Sequence, residues 1–365
     1  MKVIDIIAGA RPNFMKIAPI IRELISICEN GFDLKFRLVH TGQHYDPLLS
    51  SVFFEQLGIP EPYINLEVGS GTQAEQTAAI MVRYESFLYK EKCDLCLVVG
   101  DINSTMACSI TAQKLGIKVA HVEAGIRSDD WSMPEEINRR VTDSITNFFF
   151  TTSKSANENL KKNGVSEDRI FFVGNTMIDS LFYNIPRLIP PKIPIDFKFN
   201  VNEYFILTLH RPSNVDDQSK LLEMLSLINT SARGIPVLFP VHPRTRKILG
   251  KYPNLPIGIK LIDPQPYLEF IWLIKHAKAV ITDSGGISEE TTVLGIPCMT
   301  LRDSTERPET VDVGTNELIG KDPNNLLVAF DRLFDGRWKE GAIPERWDGK
   351  SAKRIVSQLV QLLSS

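Results

Sequence analysis

Short apolar runs alternate with amphipathic stretches along most of the chain. KVIDIIA (2–8), FRLVHT (36–41), LCLVVG (95–100), KVAHVEAG (118–125), NFFFTTS (147–153) and RIFFVGN (169–175) have the near-continuous apolar character of strands buried on both faces. Between them PNFMKIAPIIRELIS (12–26), AEQTAAIMVRYESFLYKEK (74–92) and STMACSITAQKLG (104–116) read as helices. This β-α-β-α rhythm predicts a parallel sheet covered by helices on both faces. Four prolines interrupt it at 186, 190, 191 and 194. The rhythm then restarts with YFILTLH (204–210), IPVLFPVH (235–242), GIKLID (258–263), KAVITDSGG (278–286) and IPCMTLRD (296–303). The pattern predicts an α/β chain with a first domain over 1–183, a proline-rich linker over 184–203, a second domain over 204–350 and a terminal helix within 351–365. A length of 365 residues is ample for two cores of that size.

Composition removes several classes of function. A net charge of −3 without a run of lysine or arginine gives no footprint for nucleic acid. No segment approaches the ~18 consecutive apolar residues of a membrane span, and the first apolar run, which contains Asp5, lacks the layout of a signal peptide. A cytoplasmic protein is expected. The five cysteines at 28, 93, 96, 108 and 298 do not suggest a disulfide framework. The Cys93-Cys96 pair sits in an apolar strand and is expected to be core. No zinc pattern, dinucleotide fingerprint, Walker A loop or Asp-x-Asp occurs, so no metal and no cofactor are expected.

Ligands of open parallel sheets bind beyond the carboxyl ends of the strands. Polar residues gather at those places in the sequence. Gly9-Ala10-Arg11-Pro12 follows the first run, with Lys16 about one turn into the next helix. Asp101 and Glu123 follow two more. A lone Asp101 would suit a capping turn, but Glu123 at the end of a buried strand needs a partner or a task. PEEINRR (134–140) begins a helix with proline and acids, and Glu135 and Arg139 are four apart on one face. Three acids grouped this way suit proton transfer. In the second half His210 and Arg211, then His242 and Arg244, give a cationic lining for phosphates. Ser284-Gly285-Gly286 forms a strand-to-helix turn with free N–H donors for a diphosphate, and Arg307 is expected to help neutralise it. Glu290, one turn into that helix, can accept from a ribose diol. Glu289 beside it reads as a solvated carboxylate.

Taken in order, GARPNFMK, TGQHYD, GDINST, HVEAGIRS, PEEINRR, GNTMID, LHRPSN, HPRTR, DPQPYLEF, TDSGGISEE and RDSTERPE resemble the non-hydrolysing UDP-N-acetylglucosamine 2-epimerase family over nearly the whole chain. The resemblance implies two Rossmann-like domains of the GT-B type, an active site in the interdomain cleft, a last helix returning to the first domain, and a homodimer. It also implies that UDP is eliminated to leave 2-acetamidoglucal, then re-added to give UDP-N-acetylmannosamine. Asp101, Glu123, Glu135 and His210 match the family's catalytic positions, and which acid serves in which direction stays open. Arg11, Lys16, Arg139, Gln265, Phe270, Ser284, Gly285, Gly286, Glu290 and Arg307 match substrate-binding positions, with Gln265 and Phe270 framing the uracil. Gln43, Glu136, Arg211 and His242 match the second nucleotide-sugar site of bacterial members. The chain departs from the common pattern at HRPSN, where many members read His-Arg-Arg-Glu-Asn.

Overall fold

The computed structural model describes residues 1–42, 54, 57–193, 200–241, 243–249, 255–320 and 322–364, without the side chains of Arg11, Pro212, Ser213, Pro243, Arg244 and Lys247. Two compact units divide it, Met1–Ser180 with Glu345–Ser365, and Leu181–Pro344.

The first unit is built on β1 (Lys2–Ala8), β2 (Leu34–His40), β3 (Ile64–Asn65), β4 (Leu95–Val99), β5 (Lys118–Val122), β6 (Phe148–Thr151) and β7 (Ile170–Phe172). They pair in parallel in the order β3-β2-β1-β4-β5-β6-β7. Leu95 to Val99 are each 1 % exposed or less, which is why this strand carries no polar alternation. Strand order reverses between β1 and β4. The loops after these two strands therefore part around a crevice at the carboxyl edge, and Gly9-Ala10 and Gly100-Asp101 lie there. A Cβ added to Gly9 would crowd the Ser104 hydroxyl and fall 2.8 Å from both Ile102 Cδ1 and Thr41 Oγ1, so glycine here leaves room for side chains from the neighbouring loops to close over the turn.

The C-terminal helix Ser351–Ser364 lies against the helix Arg11–Glu29 of this unit. Ile355, Val356 and Leu359 are 2 % exposed or less, each contributing about 1.5–3 kcal/mol by burial. Asp179 accepts from the first amides of that helix, Ser351 N at 3.1 Å and Ala352 N at 2.7 Å. Trp347, fully buried, donates from its indole to the Thr152 carbonyl at 3.2 Å.

The second unit repeats the scheme with β8 (Phe205–Thr208), β9 (Val237–Pro240), β10 (Ile259–Ile262), β11 (Ala279–Thr282), β12 (Cys298–Thr300) and β13 (Asn316–Leu318). These are parallel in the order β10-β9-β8-β11-β12-β13, so its switch point falls between β8 and β11. Its core joins Phe205, Leu207, Phe239, Ile281, Met299 and Phe330 from strands and flanking helix. Two short strands, β3 and β13, were not expected from the sequence. Cys93 and Cys96 are buried as expected, and burial pushes the Cys93 thiol up to about 12.

Candidate functional site

In the first unit the chemistry collects at the switch point. Glu123 follows β5 with φ +70°, a left-handed conformation that disfavours residues with a Cβ by about 1–2 kcal/mol. The surrounding structure holds it there: the amides of Glu123 and Ala124 both donate to the Phe150 carbonyl, at 2.9 and 3.2 Å. The side chain is 3 % exposed and receives Lys16 Nζ at 2.6 Å. Gly100, also left-handed, stands beside this ion pair, since a Cβ there would lie 3.2 Å from Lys16 Nζ and 3.8 Å from Glu123 Oε2. Non-glycine residues with such a backbone are enriched at functional sites, which makes buried Glu123 a candidate.

Asp101 is 29 % exposed and takes a two-pronged contact from Arg139, Nη2 at 2.6 Å and Nε at 3.0 Å. Asn138 Nδ2 donates to the Asp101 carbonyl at 2.9 Å, so one turn of the helix Pro134–Ile145 secures both ends of this residue. Arg139 reaches Glu136 at 3.0 Å as well, so its ion pairs run to Asp101 and Glu136. Glu135 is half-buried in the first turn of the same helix. Glu136 is fully buried and accepts from Ser128 N, Ser128 Oγ, Arg139 and Arg140. Burial would raise its carboxyl, but these donors hold it below the ordinary range. Glu136 thereby clamps the loop that follows Gly125 to the helix.

In the second unit His210 follows β8 and Asp283 follows β11, the two strands of the switch. Asp283 is fully buried and accepts from His210 N at 3.0 Å, Arg211 N at 2.9 Å and Asn214 Nδ2 at 3.0 Å. His210 Nδ1 meets its other oxygen at 2.6 Å. Burial opposes the charge, but the His210 ring, the Arg211 amide and Asn214 outweigh it and keep the carboxyl low. The His210 side chain, 58 % exposed, is thus oriented by a buried carboxylate that leaves Nε2 to meet a ligand. Asp283 stood inside the stretch read for its glycines. A carboxylate at a strand end was the signal that could have found it.

Ser284, Gly285 and Gly286 open the helix Gly285–Leu294, with Ser284 at the N-cap and no side-chain cap bond. A Cβ on Gly286 would meet open space, so the helix start is accessible to an anion. Arg211 Nε donates to the Asp283 carbonyl at 3.2 Å, and its Nη2 lies 3.7 Å from Glu306. Gln265 is half-buried and donates to the Asp263 carbonyl at 2.7 Å; Phe270 is half-buried nearby in sequence.

One expectation changes here. Glu289 is 2 % exposed and ion-paired with Arg307, so it is not a solvated carboxylate. Arg307, 8 % exposed, gives its Nε to that pair. The helix Pro308–Asp312 brings the two together. Glu290 is 4 % exposed and accepts from Tyr267 Oη at 2.9 Å. Burial pushes its carboxyl up to about 8 against that hydrogen bond, and Glu289 adds like charge. Tyr267, in DPQPYLEF, was missed because its ring pattern reads as helix face.

Gln43 and His242 lie outside the described residues, as do the side chains of Arg11 and Arg244. Among the described residues no group of three or more His, Cys, Asp or Glu side chains is arranged to hold a metal ion, and no helix is long and apolar enough to cross a membrane.

Comparison with known proteins follows this geometry. The family model described as UDP-N-acetylglucosamine 2-epimerase matches residues 27–360. A UDP-N-acetylglucosamine 2-epimerase of Methanococcus maripaludis is 41 % identical over 98 % of each chain. A UDP-2,3-diacetamido-2,3-dideoxy-D-glucuronate 2-epimerase of Pseudomonas aeruginosa is 37 % identical over 99 % of this chain and 100 % of its own. The crystal structure of Methanocaldococcus jannaschii UDP-GlcNAc 2-epimerase in complex with UDP-GlcNAc and UDP superposes with a TM-score of 0.85 at 39 % identity, covering 99 % of this chain and all of that one.

Proposed function

The chain belongs to the UDP-N-acetylglucosamine 2-epimerase family, and from that premise we propose that it interconverts UDP-N-acetylglucosamine and UDP-N-acetylmannosamine by eliminating and re-adding UDP. The observation that carries this reading is the pairing of Glu123 with Lys16 beside Asp101 at the switch point of the first sheet. The C2 proton of an N-acetylhexosamine is not activated by a carbonyl, so its removal needs a positioned base. Asp101 and Glu123 are the carboxylates held for that task, with Glu135 the third candidate. Lys16 and Arg139 keep the two charges in place and contact the ligand.

Departure of UDP from C1 develops charge on the diphosphate. The N–H groups at Gly285 and Gly286 and the His210 ring, oriented by Asp283, meet that charge. Glu290 accepts from the ribose hydroxyls, and Gln265 and Phe270 frame the uracil. The glucal intermediate stays bound; UDP returns to C1 on the face it left, and C2 takes its proton back from one face or the other, which gives the two epimers. Acting as a cytoplasmic homodimer that supplies precursors for surface polysaccharide belongs to the same proposal. Gln43, Glu136, Arg211 and His242 would form a second nucleotide-sugar site.

The likeness to the Pseudomonas aeruginosa protein supports a second reading, epimerisation of a related UDP-diacetamido sugar. Incubation with UDP-N-acetylglucosamine in heavy water, followed by NMR, separates the two. Deuterium entering C2 as UDP-N-acetylmannosamine forms supports the first. Turnover of the diacetamido-uronate alone supports the second, and free sugar with UDP indicates hydrolysis. Asp101→Asn should abolish exchange while UDP still binds; unchanged exchange removes Asp101 from the chemistry.

A further inference from the structure

His121 and Asp143 are buried, and the loops that carry the candidate acids Asp101 and Glu123 both hydrogen-bond to this pair. His121, fully buried on β5, places Nδ1 at 2.8 Å from Asp143 Oδ1 and Nε2 at 2.8 Å from the Gly100 carbonyl. One ring nitrogen faces a carboxylate and the other a carbonyl, so the ring bridges Asp143 to the Gly100 peptide. Asp143, on the helix Pro134–Ile145 and 5 % exposed, accepts the Gly125 amide on Oδ2 at 3.1 Å and the Arg127 guanidinium at 2.6 Å. Gly100 precedes Asp101, and Gly125 lies two residues after Glu123. Both glycines are left-handed, at φ +69° and +79°, as is Glu123 between them at +70°. Such conformations persist only when their surroundings over-determine them. One carboxylate therefore grips both loops, directly at Gly125 and through His121 at Gly100. The Gly100 amide adds a third link by donating to Val122 at 3.0 Å.

We propose that Asp143, acting through His121, is a positioning residue that fixes Asp101 and Glu123 in one mutual arrangement. The inference rests on reading those two as the acids of the reaction. Asp143 does not touch the reacting atoms. It sets the orientation of the two peptides from which the acids project, as outer partners of a reactive centre do. Its charge suits the task. Burial alone would raise the carboxyl, but the His121 ring and Arg127 hold it below its ordinary value, so it stays an acceptor for every donor around it.

The test uses the full-length protein. Asp143→Asn is expected to lower kcat for C2 epimerisation about 30- to 100-fold. KM for UDP-N-acetylglucosamine and the Kd for UDP should stay within about threefold, because the nucleotide anchors lie in the second unit. His121→Gln retains a donor for the Gly100 carbonyl and should lose less than His121→Leu. Two readouts do not need turnover. The Gly125 amide should exchange its hydrogen faster in Asp143→Asn, and the nitrogen NMR signals of the His121 ring should shift between wild type and that variant. A kcat within twofold of wild type in Asp143→Asn overturns the proposal, as does unchanged Gly125 protection. Parallel loss of kcat, UDP binding and thermal stability makes the residue merely structural and also overturns it. A wild-type protein without C2 exchange defeats the functional reading instead, and the Gly125 and His121 measurements still decide whether the grip exists.

Discussion

Glu290 is the residue where stability and ligand binding pull apart, and replacing it by glutamine should show this. Its carboxyl is buried and raised to about 8 from an ordinary value of 4.5. A carboxyl with a higher pKa in the folded protein favours folding only while it holds its proton. Its contribution is therefore fully present below about pH 4.5 and drains away as pH rises through 8, by about 1.4 kcal/mol per pH unit. At pH 7 holding that proton costs the folded state about 3 kcal/mol relative to the unfolded chain, and at pH 5 less than about 1 kcal/mol. Glu290→Gln keeps an oxygen to accept from Tyr267 and removes the titrating group. The variant should match wild type at pH 5 and exceed it by about 2–3 kcal/mol at pH 7. Glu309, pushed up to about 7 by burial, contributes to the slope of both proteins and cancels in the difference. Hydrogen exchange of the core amides of β8 and β11 reads unfolding of the second unit alone. Measured above pH 8, where the wild-type carboxyl is ionised, UDP affinity should fall about 10- to 100-fold in the same variant, the loss expected for hydrogen bonds to a charged acceptor. A variant less stable than wild type at pH 7, or a difference that does not grow with pH, refutes the reasoning.

Other perturbations test neighbouring parts. Arg307→Met strands Glu289 in the interior without its cation and should cost about 3–5 kcal/mol in urea unfolding, with much of this restored in the double variant Glu289→Gln/Arg307→Met. Asp283→Asn removes a charged acceptor from His210, Arg211 and Asn214, and should cost about 2–3 kcal/mol at neutral pH. Because the Asp283 carboxyl is depressed in the folded protein, wild type should lose this advantage only as pH falls below about 4, visible in parallel acid titrations. Glu123→Gly relaxes a left-handed backbone by about 1 kcal/mol while losing the Lys16 pair. Thermal unfolding should change little, whereas C2 deuterium exchange should disappear.

Much of the site was legible because α/β chains announce where strands end. The residues following an apolar run belong to the carboxyl edge of the sheet whatever the strand order, so Asp101, Glu123, His210 and Ser284 could be placed from pattern alone. Partners could not. His210 and Asp283 are 73 positions apart and meet only because β8 pairs with β11. His121 reaches Asp143 across 22 positions because one is on β5 and the other on the helix beside it. Glu289 looked solvated since a carboxylate one turn into a helix ordinarily is. The helix Pro308–Asp312 covers it and delivers Arg307. β3 and β13, at two and three residues, are too short to print a period and are strands only because a neighbour supplies hydrogen bonds.

By itself, then, the sequence determined two parallel α/β folds, the loops that bear chemistry and the family they resemble. Apolar runs must be buried on both faces, and glycine and proline punctuate locally. Only the tertiary structure decided strand order, the left-handed setting of Glu123, and which buried charges face one another. Those depend on contacts between residues far apart in the chain, and on burial that shifts a carboxyl such as Glu290 by desolvation no local pattern records.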